Sequence, residues 1–520
     1  MTAKWIHVGD LLRVNAINYP EKTGWQDKNK DYSFKNWNER ACRFGNGLRD
    51  LGVGPQEAFA VLSYNRGEWM DIYAGCAKGG QIVVPVLFRL TAPEIQHIVN
   101  HSECKGFIVE APFVDLVNSI RGSLHVSQDK YIYLGDGPAP EGYTGYEDLL
   151  ANASPEEPDN NTACDDTWTI LYTSGTTGTP KGVVRTHESY MAQYMLNNIN
   201  MAPLPTDKGM FVMPMCHVNS IFHSFPFSLV SAAVFVYNMV SFDPEDLLKT
   251  IEKHRITFTS LVPTQYVMIL SLPADVKNSY DVSSMKQLLI SSAPASKTLK
   301  TRIMDFFKSA ELWEAYGCTE GGLATLLRPE DQFRKLGSIG REIFGIDRIK
   351  ILDEDRKEVS DGEVGELFYW GPHIFKEYLG DPQKTREVFE GEYFSAGDMA
   401  VRDEDGFYSI VDRKANMIIT GGENVYPSEV ENVVKLHEAV KDVAVIGVHD
   451  EKWGEAIKAV VVLDEGYEPS DHLAEEIINS VRSKIAGFKR PKKISFINDE
   501  DMPRTATGKI LHRTLREMFG

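Results

Sequence analysis

Residues 172–183 read Tyr-Thr-Ser-Gly-Thr-Thr-Gly-Thr-Pro-Lys-Gly-Val and continue a strand-like run, Thr167–Thr173. Glycines at 175, 178 and 182 permit positive φ and close backbone approach. Thr173, Ser174, Thr176, Thr177 and Thr179 carry hydroxyls, Lys181 adds a point charge, and turn N–H groups complete a set of donors for phosphate oxygens. Lys181 sits between Pro180 and Gly182, so the loop is not Gly-x4-Gly-Lys-Ser/Thr. It is not the dinucleotide pattern G-x-G-x-x-G either. Kinase, GTPase and dehydrogenase chemistry are disfavoured together.

Around this loop, short β-branched runs alternate with longer amphipathic stretches. The runs are Gln81–Leu87, Gly106–Glu110, Thr167–Thr173, Phe258–Val262, Gln287–Ser291 and Val443–Val448. Such alternation predicts an α/β protein with largely parallel sheets. After about residue 413 the pattern becomes a separate small α+β unit. Pro427 and Ser428 open a helix over 427–437, strands follow at 443–448 and 456–463, a helix at 471–486 and a strand at 494–497. The linker candidates are Gly135–Tyr143 and Ala153–Asn160.

The chain has 520 residues and a net charge of −19, with 42% hydrophobic and 25% charged residues, which excludes disorder and a small disulfide scaffold. An acidic chain repels phosphate backbones, so nucleic acid is not expected as a partner. The charge is uneven, because residues 481–520 carry ten Lys/Arg against four acids, a net +6. Cys42, Cys76, Cys104, Cys164, Cys216 and Cys318 form no C-x-x-C pair and no zinc spacing. Scattered cysteines, a start without a signal-like pattern and no run long enough to span a membrane lead us to expect a cytoplasmic protein.

The loop resembles the signature of the adenylate-forming superfamily, which includes acyl-CoA synthetases, peptide-synthetase adenylation domains and firefly luciferase. Further stretches resemble its motifs in order: Pro214–His217, Ser292-Ala293-Pro294, Tyr316-Gly-Cys-Thr-Glu320, Ser395-Ala-Gly-Asp398, Asp412-Arg413, Gly421–Glu429 and Pro503–Lys509. The resemblance covers nearly the whole chain. It implies an N-terminal domain (1–412) of parallel α/β sheets plus a distorted barrel, and a small mobile α+β C-terminal domain (413–520). It implies ATP, Mg²⁺ and coenzyme A as cofactors and a small carboxylate as substrate, and it leaves a homodimer open. The reaction implied is an AMP-forming acyl-CoA synthesis. The acid attacks the α-phosphate of ATP to give acyl-AMP and pyrophosphate, and coenzyme A then takes the acyl group. The first step is an in-line displacement, governed by positioning and charge neutralisation.

By the same resemblance, Thr173, Ser174, Gly175, Thr176, Thr177, Gly178 and Lys181 hold the β/γ-phosphates. Thr319 meets the α-phosphate and Glu320 binds Mg²⁺. Tyr316 lies along adenine opposite Ser292, Ala293 and Pro294, with Glu314, Ala315 and Gly317 beside it. Asp398 takes the ribose, assisted by Arg413. Lys509 supplies a mobile charge at the α-phosphate. His217 shapes the junction of acyl pocket and phosphate. Gly421 and Gly422 line the coenzyme A tunnel. Two departures stand out. Ala415 replaces the Lys or Asp usual two residues after Arg413, and Phe375-Lys-Glu-Tyr378 lacks the usual Gly before Tyr.

The acyl pocket is expected to draw on His217, Val218, Asn219, Phe222, Pro263, Ala293, Gly317, Gly321 and Gly322, with the last two leaving width. No carboxylate between Met210 and Tyr237 stands ready for a quaternary ammonium, which counts against a carnitine-like acid unless an aromatic cage replaces it. None is seen for an amino acid's α-amine either, so a compact apolar acid (aromatic, alicyclic or short-to-medium fatty) is expected. The competing readings are an adenylating enzyme that loads a carrier protein or oxidises the adenylate, and a non-catalytic binding protein on the same fold.

Overall fold

The computed structural model describes residues 7–159, 162–173, 180–291, 295–420, 423–450, 453–482, 484–505 and 508–520. The chain forms two compact units. One comprises residues 1–348 and 369–394, the other residues 349–368 and 395–520.

The first unit holds two large sheets. Among the described residues, one has eight strands in the order 377–378, 181–186, 167–173, 82–86, 58–62, 106–110, 131–134, 144–145. Its interior pairs are parallel, and it turns antiparallel where Thr167–Thr173 meets Lys181–Thr186. The other has nine strands, with a parallel centre over 208–211, 233–236, 258–261, 287–290 and 311–318. It turns antiparallel between Glu311–Cys318 and Gly322–Leu327.

Parallel strands buried on both faces explain the apolar runs in the sequence. Val84, Val86, Phe107 and Val109 pack under one sheet, and Met210, Leu261, Leu288 and Ile290 under the other. The crossover helices follow ordinary end rules. Asp243 caps Pro244–His254 by accepting from Glu245 and Asp246 N–H, and Leu247, Leu248 and Ile251 form its buried stripe.

The second unit contains a four-stranded antiparallel sheet (350–352, 365–368, 398–402, 408–413). It also contains the small α+β element, whose strands are 418–420, 423–425, 440–450, 454–463 and 493–496. Contacts thus group the four-stranded sheet with the residues after 413. Several boundaries differ from the pattern reading, and the helix expected over 427–437 stops at Val434, where Lys435 N–H donates to Glu431 O. The strand expected at 443–448 runs Val440–Asp450, because its ladder with Gly454–Leu463 continues through polar pairs such as His449–Glu455. The helix expected over 471–486 stops at Ser480, where the Ser480 hydroxyl donates to Ile477 O and Arg482 N–H to Asn479 O. Among the described residues no helix is long and apolar enough to cross a membrane.

Candidate active site

Both antiparallel turns of the first unit carry residues singled out above. Thr173 ends one strand and lies opposite Lys181 at the start of the next. The Lys181 ammonium is partly buried. That burial, with Lys384 nearby, lowers its pKa from the ordinary lysine value, while the Glu320 carboxylate opposes the shift. Lys181 Nζ stands 5.2 Å from the centre of the Tyr378 ring, and Tyr378 Oη donates to Glu320 Oε1 at 2.9 Å.

On the other sheet, Glu314, Ala315, Tyr316 and Gly317 lie in the strand Glu311–Cys318, with Thr319 buried and Glu320 half-buried just after it. Gly317 is required for close approach, since a Cβ there would stand 2.1 Å from Gly322 O. Glu314 is held by a buried ion pair with Lys300 at 2.6 Å. Burial pushes its carboxyl above the usual carboxylate range, against the pull of Lys300.

His217 caps the helix Val218–Leu229, its Nδ1 accepting from Asn219 N–H at 3.3 Å. Asn219 in turn donates to Ser291 Oγ at 2.8 Å, tying the acyl-pocket wall to the residue before the expected adenine turn. Val218 and Phe222 are buried beside it. The width expected at Gly321 and Gly322 is not open. A Cβ at 321 would stand 1.7 Å from Tyr369 Oη, and one at 322 would stand 2.2 Å from Gln193 Oε1 and from His373 Cδ2. The missing side chains are replaced by other side chains, so these two glycines leave no width.

In the second unit, Asp398 and Arg413 face each other across paired strands, joined at 2.7 Å between Arg413 Nε and Asp398 Oδ1. Lys509 is exposed at the foot of a tight turn. Its N–H donates to Thr505 Oγ1 at 3.1 Å, its carbonyl accepts from Thr505 N at 2.7 Å, and Gly508 takes φ +85°. Ser174, Gly175, Thr176, Thr177, Gly178, Ser292, Ala293, Pro294, Gly421 and Gly422 lie outside the described residues.

Pattern reading passed over two residues that the fold brings to the site. One is Arg185, 0% exposed. Its Nη1 donates to Thr319 O at 2.7 Å and its Nη2 to His373 O, and its guanidinium lies between the Tyr190 and Phe222 rings. The available signal was a charge inside an otherwise apolar strand, Lys181-Gly-Val-Val-Arg-Thr186. The other is Tyr378, in the stretch marked above only for its departure from the family pattern.

For Mg²⁺ the donor set fits. Among the described residues no cluster of three or more His, Cys, Asp or Glu is poised to hold a metal, so no all-protein cage is present. A single carboxylate suits a cation that keeps waters and binds phosphate oxygens.

Comparison with known proteins gives the family of the chain. A family model described as AMP-binding enzyme matches residues 12–379, and one described as AMP-binding enzyme C-terminal domain matches residues 429–509. The chain is 32% identical over 504 residues to a feruloyl-CoA synthase of Amycolatopsis, covering 96% of each chain. It is 32% identical over 516 residues to a long-chain-fatty-acid–CoA ligase of Mycobacterium tuberculosis, covering 99% of this chain and 98% of the relative. The crystal structure of the anthranilate CoA ligase AuaEII with anthranoyl-AMP superposes with a TM-score of 0.88 at 28% identity, covering 100% of this chain and 98% of that one.

Proposed function

We propose a specific reaction for a chain that belongs to the AMP-binding enzyme family, the adenylate-forming ligases: it activates a compact apolar carboxylic acid with ATP and passes the acyl group to coenzyme A. An acid oxygen attacks the α-phosphorus and pyrophosphate leaves. The coenzyme A thiol, losing its proton, then attacks the acyl carbon and AMP leaves. A carboxylate acylates nothing until its oxygen becomes a good leaving group, which is what adenylation provides.

The observation that carries the reading is the meeting of Lys181 and Glu320, from two different sheets, at Tyr378, with Thr173 paired to Lys181 on the neighbouring strand. Thr173 and Lys181 bind the terminal phosphates, and Glu320 would hold Mg²⁺. That ion, when bound, neutralises phosphate charge as pyrophosphate departs. Thr319 meets the α-phosphate. His217 positions and is not a base, because an ionised carboxylate has no proton to give up. We assign Asp398 and Arg413 to the ribose and Lys509 to the charge that develops at the α-phosphate. The functional division is placed at 412/413.

The compact apolar acid is supported by the buried Val218 and Phe222 and by the side chains that fill the space beside Gly321 and Gly322. The named acids of the relatives, feruloyl and long-chain fatty, belong to the aromatic and fatty classes. A panel of carboxylates tests the proposal. Pyrophosphate release should need the acid but not coenzyme A, and AMP release should need both. Turnover only with a carrier protein would make the chain a loading enzyme, and no ATP turnover with any acid would make it a binding protein.

A further inference from the structure

The Glu320 carboxylate is close enough to act on the Lys181 ammonium, yet no contact ion pair joins these two described side chains. Left alone, an ammonium and a carboxylate at such range would close on one another, and neither would then be free for a ligand. What stands between them is Tyr378, 5% exposed. We propose that Tyr378 is a positioning residue, whose hydroxyl orients the Glu320 carboxylate and whose ring holds the Lys181 ammonium apart from it.

The backbone gives this side chain little freedom. Tyr378 pairs with Val183 and Glu377 with Val184 on the edge of the eight-stranded sheet. Leu379 N–H donates to Gly182 O at 2.8 Å, Lys376 N–H to Val184 O at 2.9 Å, and Phe375 N–H to Glu320 O at 2.7 Å. One segment, 375–379, is therefore bonded both to the strand that follows the phosphate loop and to the residue assigned to the cation. The Phe375 ring packs edge-on against Tyr378 at 4.9 Å.

The chemistry suits the place. A phenol donates one hydrogen bond without bringing a charge, so it occupies Oε1 of Glu320 and leaves Oε2 for a hard cation. The ring face attracts an ammonium without neutralising it, so Lys181 keeps its charge for phosphate. A carboxylate fixed in one rotamer loses less freedom when the cation binds.

The inference rests on the assignment of Glu320 to the divalent cation. The experiment measures Mn²⁺ binding in the presence of ATP, by the free Mn²⁺ signal in electron paramagnetic resonance and by calorimetry, on the full chain. Tyr378→Phe keeps the ring and removes the hydroxyl. Its thermal unfolding midpoint should stay at the wild-type value, and the Mn²⁺ concentration for half-saturation should rise roughly three- to tenfold, the loss of one hydrogen bond. Pyrophosphate release at limiting Mn²⁺ should fall by a similar factor and recover at saturating Mn²⁺. Tyr378→Leu removes the ring as well, and excess Mn²⁺ should not restore it, since Lys181 is then free to pair with Glu320. Unchanged Mn²⁺ binding in Tyr378→Phe, with Glu320→Gln abolishing it, overturns the role of Tyr378 alone. Unchanged binding in Glu320→Gln overturns the cation assignment beneath it.

Discussion

A guanidinium buried without a carboxylate is costly unless other groups replace water, and Arg185 meets that cost through Nη1 and Nη2 while its Nε stays without a hydrogen-bond partner among the described residues. Carbonyls of Thr319, Glu320 and His373 and the faces of Tyr190 and Phe222 surround it. Two of those carbonyls belong to the residues assigned to the α-phosphate and the cation, so the fork braces the active-site turn from behind. Lysine is no substitute, because one ammonium cannot span the carbonyls that a planar fork reaches. Arg185→Lys should destabilise the fold by about 2–4 kcal/mol, the result of orphaning at least two buried carbonyls, and should slow pyrophosphate release. Urea unfolding and a pyrophosphate assay check this, and wild-type values in both would refute the brace. The contrast with Lys181 shows what was legible. Lys181, Thr173, Glu320 and Lys509 belong to short local motifs, so their chemistry can be read from neighbours in sequence. Arg185 and Tyr378 act on residues more than fifty positions away, and nothing local to them states who the partner is.

At the scale of elements, the stretch joining the four-stranded sheet to the small α+β element is held from both ends. Asp412 accepts from Ser428 N–H at 2.8 Å, at the start of the helix Pro427–Val434, and from the Asn416 side chain at 3.3 Å. The Ser428 hydroxyl donates to Val411 O. From the last helix, His512–Phe519, Arg516 donates to Ala415 O at 3.2 Å and Asn416 O at 3.0 Å. This accounts for an alanine where the family commonly has Lys or Asp: the contact is made by the carbonyl, which every residue offers. Arg516→Ala should speed amide exchange across residues 413–418 by roughly tenfold, the loss of two modest hydrogen bonds, without unfolding the helix anchored by buried Leu515. Faster exchange confined to residues 512–519 would sink the idea. Elements such as Gly106–Glu110 were readable because an apolar run bounded by turn residues fixes both ends. Val440–Asp450 was underestimated because its ends are set by a partner strand.

Across the whole molecule, two consequences concern charge. His187 and His373 are fully buried, and burial lowers both from 6.5 to about 3. As pH falls below 6.5 the unfolded chain takes up these protons before the folded one does. Their contribution to stability is thus complete above 6.5 and is lost progressively towards 3, at up to about 1.4 kcal/mol per pH unit for each histidine. His373→Gln can keep the donation that His373 Nε2 makes to Leu323 O, and should flatten the fall in urea midpoint between pH 6.5 and 4.5. An unchanged slope would refute the assignment. The second consequence is the +6 net charge of residues 481–520 on a chain of −19. Part of that charge is spent within the unit, since Lys489 pairs with Glu429 at 2.7 Å and Arg504 with Asp442 at 2.6 Å. The Lys509 backbone is fixed by Thr505, and its side chain is exposed on the turn. An exposed ammonium on a fixed turn suits a step in which negative charge develops at the α-phosphate, and it has no comparable task when a thiol displaces AMP from a finished anhydride. Lys509→Ala should therefore slow acyl-AMP formation about a hundred- to a thousandfold, the usual loss for one charge-stabilising donor. The same variant, given synthetic acyl-AMP and coenzyme A, should form thioester at close to the wild-type rate. Equal loss in both half-reactions would make Lys509 a structural residue of the turn, and no loss in either would leave the basic end of the chain without a catalytic part.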